Sequence, residues 1–139
     1  MSQAAIELKG IACTFVSDDS GTLSTYTAVK NVDLTVADGE FVSVVGPTGC
    51  GKSTLLNMSA GLLEPSAGTV SIFGEPLVGL NRRAGYMFQA DSLMPWKSAL
   101  DNVAAGLLFE GVPEKEAAQR AREWLARVGL TGYTTLFRS

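Results

Sequence analysis

The run Gly46-Pro-Thr-Gly-Cys-Gly-Lys-Ser53 constrains this chain more than any other stretch. Gly46, Gly49 and Gly51 let the backbone wrap tightly, so that successive N–H groups point inward as an anion nest. Just before it, Phe41-Val-Ser-Val-Val45 is short, β-branched and almost wholly apolar, the pattern of a strand covered on both faces. Just after it, helical spacing runs from about Lys52 to Gly61. Strand, Gly-rich turn and helix in that order make a P-loop and put the chain in the α/β class. An ordinary Gly-rich turn would not require both flanks to match.

The residue types suit phosphate. The helix after the loop adds the positive end of its dipole. Lys52 brings a full charge to β- and γ-phosphates, the Ser53 hydroxyl is suited to magnesium, and Thr54 is suited to the α-phosphate. Pro47, Thr48 and Cys50 complete the loop. The expected ligand is ATP with Mg2+.

Composition narrows the setting. The formal net charge of −3 gives no field that would draw nucleic acid. Cys13 and Cys50 are the only cysteines, too few for a disulfide scaffold, and fit a reducing compartment. Cys13 is expected to be a buried small apolar residue. No signal peptide is expected from the first residues. No apolar stretch reaches the roughly 18 residues needed to span a bilayer, so any membrane role must come through a partner.

Along the chain, Ile6–Phe15 reads as a strand and the polar stretch Val16–Thr27 as a loop or hairpin tip. Ala28–Val36 alternates as a half-buried strand, and Asp38-Gly39 signals a hairpin turn into Phe41–Val45. Glu64–Gly68 is a loop. Thr69–Phe73 and Arg83–Gln89 read as further strands. Ser98–Phe109 and a segment opening at Pro113 have helical spacing. The second presents Ala117, Ala121, Trp124, Leu125 and Val128 as one apolar face, with Trp124 expected in the core and Gly129 as the C-cap.

Beyond the P-loop, the chain resembles the ATP-binding subunit of ABC transporters from about Ile6 to Tyr133. The stretches LLNMSAGLLEPSAGTVSIFGEPL and RRAGYMFQADSLMPWKSALDNV carry the resemblance. Pro95-Trp96 and LDNV are most similar to subunits importing nitrate, sulfonate, taurine and related solutes. The resemblance implies a P-loop NTPase fold of ABC type, N-terminal part only: a β-rich subdomain, the P-loop strand and helix, and the start of a helical subdomain. It implies that Gln89 is the Q-loop glutamine, sensing the γ-phosphate and Mg2+. It implies that Phe15 stacks on adenine, with Tyr26 the alternative. It further implies a second copy of the subunit, permease subunits docking near residues 90–102, and a peripheral place on the cytoplasmic face of the inner or plasma membrane. A non-transport ATPase of the same type, serving DNA repair or translation, is the alternative. A small GTPase is disfavoured, because Asn-Lys-x-Asp is absent and Asp18-x-x-Gly21 precedes the P-loop. A kinase is disfavoured for want of a basic lid.

Such a family also needs a Leu-Ser-Gly-Gly-Gln signature, a Walker B aspartate with an adjacent glutamate as general base, and a switch histidine. The sequence holds no Gly-Gly pair and no histidine, and Leu107-Leu108-Phe109-Glu110 offers one carboxylate on a helical pattern. Residues 1–133 therefore read as a partial nucleotide-binding domain, and Thr134–Ser139, where the pattern breaks, as a non-native tail. Such a piece alone is expected to be inactive and to fold poorly, because Phe41–Val45 needs strands beyond it.

Overall fold

The computed structural model describes residues 3–19, 22–90 and 92–133. The chain divides into two compact units, residues 1–86 and 87–139. The proposed tail at 134–139 lies outside the described residues.

The first unit is built on an antiparallel sheet of β1 (Ala4–Asp19), β2 (Thr22–Ala37), β3 (Ala67–Ile72) and β4 (Glu75–Pro76), in the order β2-β1-β3-β4. Strand alternation alone would send Leu8 and Ile11 to opposite faces. Both are fully buried, because the register shifts between them and Gly10 adopts φ 58°. The extra residue re-aims the strand. Leu8, Ile11 and Cys13 thus meet Val29 from β2, Val70 and Ile72 from β3, and Met58 from α1 (Lys52–Ser59) in one core. Burial of Cys13 agrees with its expected role.

Residues 16–19 and 22–27, expected as a loop or hairpin tip, are the paired strands of a hairpin rather than a loop. Its polar residues pair across the hairpin: Thr14 Oγ1 lies 3.0 Å from Thr27 Oγ1, and Ser17 Oγ lies 2.6 Å from Ser24 Oγ. A two-stranded arm wet on both faces keeps β-branched and hydroxyl residues without needing apolar ones, so composition misleads there.

Two expected strands are absent. Phe41–Val45 has no regular structure, with Phe41 91% and Val45 88% exposed. The Asp38-Gly39 turn does form, closed by Glu40 N–H donating to Ala37 O at 3.2 Å, but it leads into no hairpin. Arg83–Gln89 likewise forms no strand. Strand conformation is held by neighbours, and no described residue ladders with either segment.

The second unit is a helical hairpin of α2 (Ala99–Phe109) and α3 (Glu114–Arg127), with a short 3-10 turn at Thr131–Tyr133. Ser98 caps α2 by accepting from Asp101 N–H at 3.1 Å. Pro113 is the N-cap of α3 rather than its first helical residue. The seam is made of small residues, Ala104, Ala117 and Ala121, flanked by Leu100, Leu107 and Val112. Trp124 is not core: it is 56% exposed, with the Arg127 guanidinium 4.8 Å from its ring centroid, and Val128 is 65% exposed. The buried stripe is Ala117, Ala121 and Leu125, one residue every fourth position. Trp124 sits on its flank, where an Ala-sized gap admits no indole.

All three helices end alike. In α3, Gly129 (φ 78°) donates to Ala126 O at 3.0 Å and Leu130 to Leu125 O at 2.8 Å. The same pair of bonds follows α2 at Gly111–Val112 and α1 at Gly61–Leu62. Each is a Schellman closure on a left-handed glycine. This places Gly129 just past the C-cap, and it ends α1 at Ser59 rather than Gly61.

Candidate functional site

The P-loop runs against β2. Gly51 (φ 94°) is the N-cap of α1, and a Cβ there would stand 2.6 Å from Ala28 O and 2.8 Å from Val29 Cγ2. Only glycine fits both the backbone conformation and the space. A Cβ on Gly46 would lie 2.7 Å from Cys50 Sγ, so the loop closes tightly across its mouth. Cys50 N–H donates to Pro47 O at 3.4 Å, making the turn between them.

Lys52 reaches back over this turn. Its Nζ donates to Gly46 O at 2.8 Å and Pro47 O at 2.7 Å, and lies 3.6 Å from Cys50 Sγ. Carbonyl dipoles hold the ammonium without neutralising it, so its charge stays available to an anion. Helix α1 has no side-chain cap on its N-terminus and no acidic residue in its first turn. Its first N–H groups and the positive end of its dipole therefore remain open to a negative ligand.

A cleft of about 250 Å³ adjoins the loop, lined by Phe15, Tyr26, Ala28, Gly49, Gly51, Lys52, Ser53 and Thr54. Phe15 and Tyr26 are directly opposite each other across the β1–β2 hairpin, 43% and 59% exposed. Neither ring is spent on core packing. The Tyr26 hydroxyl donates to Gly49 O at 3.2 Å. The first unit thus gathers Phe15, Tyr26, Gly49 and the loop residues 51–54 around one concavity. Thr48 is exposed within the loop's turn.

Gln89 belongs to the second unit, where it is exposed on a bend. Among the described residues, no group of three or more His, Cys, Asp or Glu side chains is placed to hold a metal. A magnesium ion beside the loop would be held by the Ser53 hydroxyl, water and the phosphates themselves, which is ordinary for that ion.

Sequence reasoning missed two features. Tyr26 was considered only as a base platform, not as a contact of the loop; its signal is that residues 26 and 28 share a strand face. Asn102 was missed as an organiser of the segment before α2. Its Oδ1 accepts from Met94 N–H at 2.8 Å, and its Nδ2 donates to Met94 O, Lys97 O and Ser98 O at 3.1, 3.2 and 2.9 Å. Trp96 stands 73% exposed on the turn so held. Nothing in a local pattern distinguishes Asn102 from a solvated helix residue.

The strand pairing and loop just described recur in known proteins. Residues 29–138 match the family model described as ABC transporter. The chain belongs to the ABC transporter family. Among its relatives, the taurine import ATP-binding protein TauB of Pseudomonas aeruginosa is 49% identical over 105 residues, covering 76% of this chain and 40% of that protein. The protein of the same name from Burkholderia pseudomallei is 45% identical over 107 residues, covering 77% and 41%. This ABC family chain therefore spans about two fifths of the length of the curated relatives it matches. Among solved structures, a dimeric post-hydrolysis state of an ATP-binding cassette bound to ADP and Pi superposes with TM-score 0.79 at 30% identity, covering 96% of this chain and 63% of that one. A second dimeric structure of that same cassette, described as a bacterial ABC transporter cassette, gives TM-score 0.79 at 32% identity, covering 93% and 60%. The fold is that of an ABC-type P-loop NTPase, represented by its N-terminal part.

Proposed function

We propose that residues 46–54 bind the phosphates of ATP with Mg2+, and that the whole protein is the energy-coupling subunit of an importer for a small sulfonate-like solute such as taurine. The observation that carries the first half is Lys52, held over an uncapped helix N-terminus by two loop carbonyls and the Cys50 sulfur. The second half rests on the import proteins among its relatives, which also favour transport over DNA repair or translation.

In this reading Lys52 meets the β- and γ-phosphates, the loop N–H groups surround them, and Thr54 approaches the α-phosphate. Ser53 and Gln89 are the magnesium ligands; the ion, when bound, offsets phosphate charge. Phe15 lies against the adenine face. Gln89 is the only catalytic-site residue proposed from this chain. The general base and the switch histidine have no counterpart in it. Hydrolysis thus requires the remainder of the domain and a second copy. Permease subunits would dock near residues 90–102, where Asn102 holds the Trp96 turn. No described helix is long and apolar enough to cross a membrane. The proposed location is peripheral, on the cytoplasmic face of the inner or plasma membrane.

The test is uptake of labelled taurine into vesicles carrying the full-length protein and its permease. ATP-driven uptake lost in Lys52→Ala is expected. Uptake of nitrate but not taurine would move the solute assignment, and uptake independent of ATP would overturn the coupling role.

A further inference from the structure

We infer that Tyr26 is a positioning residue for the phosphate loop, acting through the carbonyl of Gly49. The inference rests on the reading of residues 46–54 as a phosphate site.

Strand β2 touches the loop at two points. At Ala28 and Val29 the contact is steric, since a side chain on Gly51 would collide with them. At Tyr26 it is a hydrogen bond, from the phenol to Gly49 O at 3.2 Å. Gly49 has φ 82°, one of the two left-handed residues of the loop. A peptide unit is planar and trans, so the carbonyl of Gly49 and the N–H of Cys50 point in opposite directions. Holding the carbonyl toward β2 therefore turns the Cys50 N–H into the loop, where it meets Pro47 O at 3.4 Å. The phenol on the carbonyl side and Pro47 O on the N–H side thus hold the Gly49–Cys50 peptide at both ends, and with it the turn that leads into the N–H groups at the start of α1. Without the phenol, the peptide on the C-terminal side of a left-handed glycine is held only by the long bond to Pro47 O.

The same residue has little else to do. Pairing of β1 with β3 ends at Ala12 and Ala67, so the Phe15–Tyr26 pair lies on the two-stranded arm, and the Tyr26 ring is 59% exposed. A packing role would bury it. A stacking role would need the ring but not the hydroxyl. The bond to Gly49 acts on phosphates whatever base they carry.

The experiment uses the full-length protein and displacement of a fluorescent ATP analogue by Mg-ATP and by Mg-tripolyphosphate, which has no base. Tyr26→Phe should weaken both ligands by the same factor, about three- to tenfold for one lost hydrogen bond. Phe15→Ala should weaken ATP and leave tripolyphosphate unchanged. Amide exchange at Cys50 in the nucleotide-free protein should quicken in Tyr26→Phe. Tripolyphosphate binding unchanged in Tyr26→Phe, or weakening of ATP alone, would overturn the inference, as would unchanged exchange at Cys50. Lys52→Ala separates the two levels. If it removes binding of both ligands while Tyr26→Phe does nothing, only the role of Tyr26 falls. If Lys52→Ala leaves both ligands bound, the phosphate site itself is wrong.

Discussion

Strand β1 and the segment Phe41–Val45 are both rich in apolar, strand-forming residues, and they end in opposite conditions. Leu8 and Ile11 on β1 are 0% exposed, between β2 and β3. Phe41 and Val45 are 91% and 88% exposed and pair with nothing described. The sheet obtains its partners from nearby chain: a hairpin supplies β2, and β3 follows within the same unit. Phe41–Val45 has its flanks committed elsewhere, to the Asp38-Gly39 turn before it and the P-loop after it. A strand pattern states a demand for neighbours; it does not supply them. The segment just before the phosphate loop is therefore the one left without a neighbouring strand among the described residues.

Deletion in the two regions should separate them most. Leu8→Ala, in a filled core, is expected to destabilise the full-length protein by about 2–5 kcal/mol in denaturant melts. In the 139-residue chain, Phe41→Ala should change stability by less than about 0.5 kcal/mol, as at other exposed sites. In the full-length protein, the same change should approach the cost of Leu8→Ala. Equal, small effects of Phe41→Ala in both lengths would remove the comparison. For a 139-residue chain too loose to melt cooperatively, amide exchange reads the same difference, with β1 protected and 41–45 unprotected.

At the join between the regions, Gly51→Ala should cost about 1–3 kcal/mol from the left-handed backbone, with a further penalty from the Ala28 and Val29 contacts. It should also weaken nucleotide binding, because relief of the clash moves the loop off β2. A stable variant with full affinity would mean the loop does not lean on β2.

Much of this was legible beforehand because the signals are local. The Gly46–Ser53 pattern marked both the loop and the start of α1, and Gly129 marked the end of α3 by capping chemistry alone. Cys13 was placed in the core by residue type. What was not legible depends on distant chain. The arm at residues 16–19 and 22–27 is strand, with hydroxyls pairing across it, where polarity alone reads as loop. Trp124 is outside because its partner helix offers Ala104, which no pattern within α3 reveals. The Tyr26–Gly49 bond joins residues 23 apart, and strand spacing says only which face Tyr26 shares.

The smallest effect is a rate, not a stability. Cys50 is exposed and Cys13 is 2% exposed. A maleimide should modify Cys50 within the folded protein and Cys13 only on unfolding. Mg-ATP should slow the reaction at Cys50, because phosphates in the loop would crowd its sulfur. Equal rates at both cysteines would place Cys13 outside the core, and no protection would place the ligand elsewhere.

The central claim is that the Gly46–Thr54 loop is where a nucleoside triphosphate binds, and Lys52 tests it most directly. Its ammonium sits 2.7–2.8 Å from two loop carbonyls and carries the one full positive charge among the described residues lining the cleft. Titration of the full-length protein with a fluorescent ATP analogue should give saturable, Mg2+-dependent binding that Lys52→Ala abolishes while the melt stays cooperative. Unchanged affinity in a folded Lys52→Ala protein would contradict the account.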